Sequence, residues 1–434
     1  MVGQNQKSEI INRIGPKKKI AFVCSGGATK AGAFHLGVAL ALQEKGFSFK
    51  GGLHSQIQSN NSTEPSGLEI STYVGSSAGS VISAYLAAGY SLENIFSSFL
   101  GTKNSIPDPR HTFPKPLPPL TYQKAFKFKT PSLIEKFTQM SKLQKLLTGW
   151  IDGSWEELFN LDWLKVSGIF SMAGVEQYLR EEVLFSNSFH DYIPDLFVVA
   201  TQLNHSRKVV FGKHSFSPPP NDLSCQYNND TSISDACAAS MALPVVFSPY
   251  AITNNLGQTH HYIDGEIRDT LSTHVAVDNG ADLVIASYTH QPYHMSPDSG
   301  SLTEKGLPTI LIQSIYLLIE QKINNHIFNK QTQINALNAV SDYCKTEGIS
   351  DKQRHRICEI LQAELNLKMN VDTIYIHPSP QDTRLFFGDH FTFSTDRKAE
   401  IVKSGFRSAI KALKRYEFAD HRPQHAIGTP PSEG

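Results

Sequence analysis

The chain has no stretch of about 18 uncharged apolar residues, so it predicts no transmembrane helix. Residues 1–15 are polar and lack the apolar run of a cleavable secretory signal. Neither charge is in excess. Forty Lys and Arg balance forty Asp and Glu, which argues against a nucleic-acid partner. Cysteine is scarce: there are five in 434 residues, and no two stand at CxxC spacing. A disulfide framework and a zinc site are therefore not expected, and the pattern suits a reducing compartment. Two phosphate-binding patterns are also missing. Lys30 is followed by Ala31, which breaks a P-loop, and Gly26, Gly27 and Gly32 do not fit G-x-G-x-x-G. With 40% hydrophobic and 18% charged residues, the chain can still bury a large core.

The apolar run at residues 20–24 predicts a buried strand. Ser25-Gly26-Gly27 breaks it, and the spacing of Ala33, Leu36, Leu40 and Leu42 predicts a helix over 31–45. Residues 53–66 read as loop, 69–74 as a second strand, and 78–88 as a second helix. Further strands are expected at 196–201, with a hairpin partner at 208–211, and at 260–263, 282–287 and 373–377. A small-residue helix is expected at 235–243, stopped by Pro244. This alternation predicts an α/β layer fold with a mostly parallel sheet. Residues 105–120 hold six prolines and exclude regular structure, 121–179 read as helical, and 311–367 read as long helices parted by Gly348.

Three local patterns carry chemistry. Gly75-Ser76-Ser77-Ala78-Gly79 fits G-x-S-x-G, in which a serine nucleophile sits on a crowded strand-to-helix turn. The helix after it directs free N–H groups at that serine, although a glycine-rich turn with a capping serine has the same letters. Gly26, Gly27 and Ala28 follow a strand and form either a backbone oxyanion hole or a simple βα turn. Asp264-Gly265 ends a strand, where such a pair is often only a turn former.

Taken in order, these pieces resemble the patatin-like phospholipase family, with its glycine-rich oxyanion motif, G-x-S-x-G and D-G-[GA]. Residues 239–249 (Ala239-Ser240-Met241-Ala242-Leu243-Pro244 through Phe247-Ser248-Pro249), Val199-Ala200-Thr201-Gln202-Leu203 and Gly280-Ala281-Asp282 resemble further family segments. The likeness covers about residues 17–290 and continues more faintly to about 417. It implies a three-layer αβα fold. It also implies a Ser–Asp dyad of Ser77 and Asp264, an oxyanion hole from Gly26, Gly27 and Ala28, and an elbow built on Gly75 and Gly79. The reaction it implies is calcium-independent hydrolysis of acyl-lipid esters such as glycerophospholipids, with no cofactor and no metal. Three positions depart from the family pattern, and the first is Gly32, which stands one residue further from Lys30 than the pattern has it. Ala28 replaces a glycine, which suits an oxyanion hole if its φ is negative. Glu266 replaces Gly or Ala, and its charge is expected to raise the pKa of Asp264. A Ser–Asp–His hydrolase is the alternative reading, with His290, His294, His326, His377 or His390 as its third member.

Residues 111–149 carry seven lysines against one acid, Glu135, interleaved with phenylalanine and leucine. A basic apolar segment of this kind suits a lid on an anionic membrane surface, with Lys124, Lys127 and Lys129 facing lipid. The helices at 311–367 offer a surface for a protein activator of a dormant hydrolase. The expected organisation is a flexible lead at 1–16, an acyl hydrolase domain at 17–417 with a cap insert at 105–180, and a mobile tail at 418–434. The expected location is the cytoplasm or a membrane surface, with export lacking a cleavable signal as a further route.

Overall fold

Strand β1 (Ile20–Cys24) is buried along its whole length because both faces of the sheet are covered. Its side chains alternate, as the strand period of two requires. Ile20, Phe22 and Cys24 enter one core, while Ala21 and Val23 enter the other. This pattern marks the middle layer of a three-layer αβα fold. The computed structural model describes residues 12–56, 67–101, 116–125, 127–128, 170–214, 224–244, 246–268, 270–290, 292, 301–305, 307–365, 367–368, 370–379 and 394–419.

The other strands of the sheet are β2 (Ser48–Phe49), β3 (Glu69–Ser76), β4 (Asp195–Gln202), β5 (Arg207–Gly212), β6 (Cys225–Asn228), β7 (Tyr250–Thr253), β8 (Thr259–Asp264), β9 (Leu283–Ser287) and β10 (Asp372–Ile376). Followed from one hydrogen-bonded neighbour to the next, the strands run β7-β8-β4-β3-β1-β9-β10. The centre, from β4 to β10, is parallel. The β4–β5 hairpin and strands β7 and β8 add antiparallel pairs at one side.

On one face lie α1 (Ala28–Glu44), α2 (Ala78–Ala88), α4 (Ile233–Ser240) and α8 (Thr395–Leu413), with α3 (Leu92–Leu100) beside them. On the other lie α5 (Thr273–Asp278) and the long α6 (Leu307–Thr346), which sends Ile319 and Ile323 into the second core. After Gly348 comes α7 (Asp351–Glu364), opened by the Ser350 side chain. Helices α1 and α8 cross in close contact. A Cβ on Gly37 would stand 2.0 Å from the Val402 carbonyl oxygen, and one on Gly405 would stand 2.2 Å from that of Phe34.

Several boundaries differ from the sequence-based expectation. Helix α1 begins at Ala28 rather than Ala31, because Gly27, at φ 129°, turns the chain directly into it. Helix α4 spans Ile233–Ser240 rather than 235–243, since Ser232 caps it early. Part of the expected lead forms a strand. Asn12–Ile14 pairs in parallel with Tyr416–Phe418, while residues 1–11 and 420–434 lie outside the described residues. The expected cap is not one helical run. Its described parts are a turn at Tyr122–Ala125, a ladder joining Lys127–Phe128 to Phe170–Ser171, and a helix at Ala173–Tyr178. All five cysteines are free. Among the described residues no helix is long and apolar enough to cross a membrane.

Candidate active site

The nucleophile candidate sits where β3 becomes α2. Ser77 has φ 51° and ψ −130°, a sparsely populated conformation for a residue with a side chain. Its surroundings hold it there. The Ser77 N–H donates to Ser240 Oγ at 2.8 Å, and Ser240 Oγ donates to the Val199 carbonyl at 2.6 Å. The Ser77 carbonyl accepts from the Ser80 hydroxyl at 2.6 Å. Both glycines of the motif are required by close approach. A Cβ on Gly79 would lie 2.2 Å from the Cys24 carbonyl oxygen, and one on Gly75 would lie 2.4 Å from Ser80 Cα.

Strand β4 brings the base candidate to the serine. Strand β3 runs parallel to β4 and ends with Ser76 opposite Val199. Strand β8 runs antiparallel to β4 and ends with Asp264 opposite Ala200. The opposite edge of β4 is taken by β5, so β3 and β8 share one edge and meet head to head. Two carboxyl-terminal strand ends thus converge, and Ser77 and Asp264 line one cavity. The Asp264 N–H donates to the Ala242 carbonyl at 3.0 Å, and Thr201 Oγ1 donates to the Asp264 carbonyl at 3.1 Å. Burial raises the Asp264 carboxyl to about pKa 6, while Ser77 and the Glu266 backbone N–H pull it back. This corrects the expectation that the Glu266 charge raises it. Glu266 reaches Asp264 through its N–H, which donates to Oδ1 at 3.0 Å.

The Glu266 carboxylate instead holds the glycine loop. Its Oε1 accepts the Gly26 N–H at 2.8 Å, and Thr289 Oγ1 donates to the Gly26 carbonyl at 3.0 Å. The Gly26 amide is therefore engaged and does not point at an oxyanion. Gly27 and Ala28 line the same cavity as Ser77 and Asp264. Ala28 has φ 56°, not the negative value expected for a tolerated alanine. It opens α1, where first-turn amides have no acceptor within the helix. The Ala78 amide opens α2 directly after Ser77, where first-turn amides have no acceptor within the helix. The sequence reading omitted it, although the residue after the nucleophile commonly serves in an oxyanion hole. Behind the loop, His35 is wholly buried, with Nε2 2.8 Å from the Ser25 carbonyl and Nδ1 2.7 Å from Ser287 Oγ. Burial lowers its pKa to about 4, so it is a neutral strut between α1, β1 and β9.

Ser77, Asp264, Gly27 and Ala28 open on about 890 Å³ of empty space walled by Met172, Val175, Leu243, Phe247, Ile315 and Ile319. Such a wall suits an acyl chain. Of the alternative histidines, His290 also lines this space, but its Nδ1 faces Glu266 Oε2 at 3.9 Å and its ring meets Tyr316 edge-on. His326 contacts Thr273 and His377 stacks on Tyr288. His294 and His390 lie outside the described residues. Lys124 pairs with Glu182 and Lys127 donates to Gln177, so these two lysines are engaged within the chain. Lys129 lies outside the described residues. Among the described residues no three His, Cys, Asp or Glu side chains gather as a metal site.

Residues 22–277, more than half of the chain, match the family model described as patatin-like phospholipase. The chain matches no curated protein.

Proposed function

The chain belongs to the patatin-like phospholipase family, a family of lipid acyl hydrolases, and from that premise we propose that it cleaves carboxylic esters of glycerophospholipids through a Ser77–Asp264 dyad without calcium. The observation that carries this reading is that Ser77, on its strained strand-to-helix turn, and the buried carboxyl of Asp264 line one apolar cavity. Ser77 Oγ attacks the ester carbonyl carbon while its proton passes to Asp264. The carbonyl oxygen becomes an oxyanion among the amides of Gly27, Ala28 and Ala78. When the ester C–O bond breaks, Asp264 returns the proton to the departing alcohol and an acyl-serine remains. Water then gives a proton to Asp264, attacks the acyl carbon and releases the fatty acid, with the proton returning to Ser77.

An ordinary aspartate, with a pKa near 3.9, is a weak base toward a serine hydroxyl. Burial makes Asp264 a stronger one, and it must be ionised to act. The rate should therefore rise with pH through about 6 and level off above it, with a slope of one proton. A kcat/KM profile on a soluble ester checks this, and the same inflection should persist in His290→Gln. A profile flat from pH 5 to 8, or an inflection that disappears with His290, rejects Asp264 as the base.

A second observation bears on how the protein meets lipid. The start of α6 sends Ile315 and Ile319 into the cavity and leaves Leu317 and Leu318 exposed, at 48% and 59%. One helix thus joins the acyl cavity to the outer surface, and amphipathic segments of this kind bind membrane interfaces. We place the membrane contact there rather than on Lys124 and Lys127. Leu317→Ser with Leu318→Ser should lower binding to phospholipid vesicles about tenfold or more while sparing a soluble ester. Unchanged vesicle sedimentation would remove the assignment.

A further inference from the structure

Glu266 stands two residues after the base candidate and is 3% exposed. The short turn that carries it, Gly265–Ile267, is pinned to its surroundings. A Cβ on Gly265 would stand 2.2 Å from the Val199 carbonyl oxygen, so the turn lies tight against β4. The Glu266 carbonyl accepts from Thr270 Oγ1 at 3.0 Å, and the Ile267 carbonyl accepts from Lys322 Nζ of α6. The Glu266 side chain therefore leaves a fixed backbone.

The two ends of this residue reach different parts of the site. Its N–H donates to Asp264 Oδ1 at 3.0 Å, while its Oε1 accepts the Gly26 N–H at 2.8 Å. Gly26 is wedged between Glu266 and the nucleophile. A Cβ there would meet Ser77 Cβ at 2.7 Å and Glu266 Cγ at 2.8 Å. Gly26 is buried, and a buried N–H left without an acceptor is costly, so its amide follows the Glu266 oxygen. Gly27 and Ala28, which line the cavity, come directly after it. Where the Glu266 oxygen stands thus decides where that turn starts relative to Ser77.

Building on the proposed hydrolase reading, we propose that Glu266 is a positioning residue that ties the oxyanion turn to the strand end carrying the base, so that nucleophile, base and oxyanion donors keep one spacing. The reach of its side chain carries this role, and its charge does not. A displaced turn weakens the hold on the oxyanion more than the hold on the ground-state carbonyl, so the effect falls on kcat rather than KM.

Two variants separate reach from charge. Glu266→Asp keeps the charge and shortens the arm by one methylene. Glu266→Gln keeps the arm and an oxygen acceptor but removes the charge. On a soluble ester, at a pH above the Asp264 inflection, Glu266→Asp should lower kcat about tenfold or more and leave KM within about threefold. Glu266→Gln should keep kcat within about threefold of wild type. The reverse order, equal losses in both variants, no loss in either, or a change confined to KM overturns the proposal. Amide hydrogen exchange at Gly26 needs no turnover. It should be faster in Glu266→Asp than in wild type and unchanged in Glu266→Gln. If that order appears while wild type hydrolyses no ester, the clamp on the turn stands and only the hydrolase reading falls. Equal exchange at Gly26 in all three proteins overturns the clamp.

Discussion

Asp264→Asn gives a folded protein whose ester hydrolysis is lower by about 10⁴-fold or more. Asparagine keeps the size and the acceptor for the Glu266 N–H but cannot take the Ser77 proton. Ser77→Ala should be equally inactive. The double variant should be no worse than either single one, because members of one catalytic unit do not contribute additively. Stability should move the other way. The fold holds Asp264 at about pKa 6, above its ordinary value, so it binds that proton more tightly than the unfolded chain does. The contribution to stability is present at low pH and is lost as pH rises from about 4 through 6. At neutral pH the ionised, buried carboxylate costs on the order of 3 kcal/mol, which asparagine avoids. Asp264→Asn should therefore melt higher than wild type at pH 7.5, and this gain should shrink toward pH 4. Thermal scans at the two pH values check the sign. A lower melting temperature at pH 7.5 would show that the charge is stabilised by the site rather than imposed on it.

Gly27→Ala should be nearly as damaging to turnover by a different route. Gly27 has φ 129°, a conformation costly for any residue with a Cβ. A Cβ there would lie 2.4 Å from Thr289 Oγ1, the group that holds the Gly26 carbonyl. The substitution thus strains the turn and displaces its anchor. On the proposed mechanism the amides of Gly27 and Ala28 face the developing oxyanion, and misaligning one such donor should cost about 10²–10³ in kcat. KM should change little, because the ground-state carbonyl leans on these amides less than the oxyanion does. Steady-state kinetics on a soluble ester separate the two constants. A kcat within threefold of wild type would place the oxyanion elsewhere.

The layer fold was legible in the chain because its central strands are short, wholly apolar runs. Residues 20–24 and 283–286 are such runs, and the β4–β5 hairpin was legible at 196–211. The elbow was legible because backbone approach leaves room only for glycine at 75 and 79. What brings Ser77 to Asp264 was not. It depends on two registers against β4, one parallel and one antiparallel, which bring together two residues more than a hundred positions apart. Glu266 read as a charge beside the base, yet side-chain direction decides its effect, and its carboxylate grips Gly26 instead. The sign of φ at Ala28 is set by the turn it occupies and leaves no mark in the residue type.

The most direct test of the account is fatty acid release from phospholipid vesicles in the presence of a calcium chelator, comparing wild type with Ser77→Ala. The account predicts steady release by wild type and none above background by Ser77→Ala. Release that survives in Ser77→Ala, or that wild type shows only when calcium is restored, would contradict it.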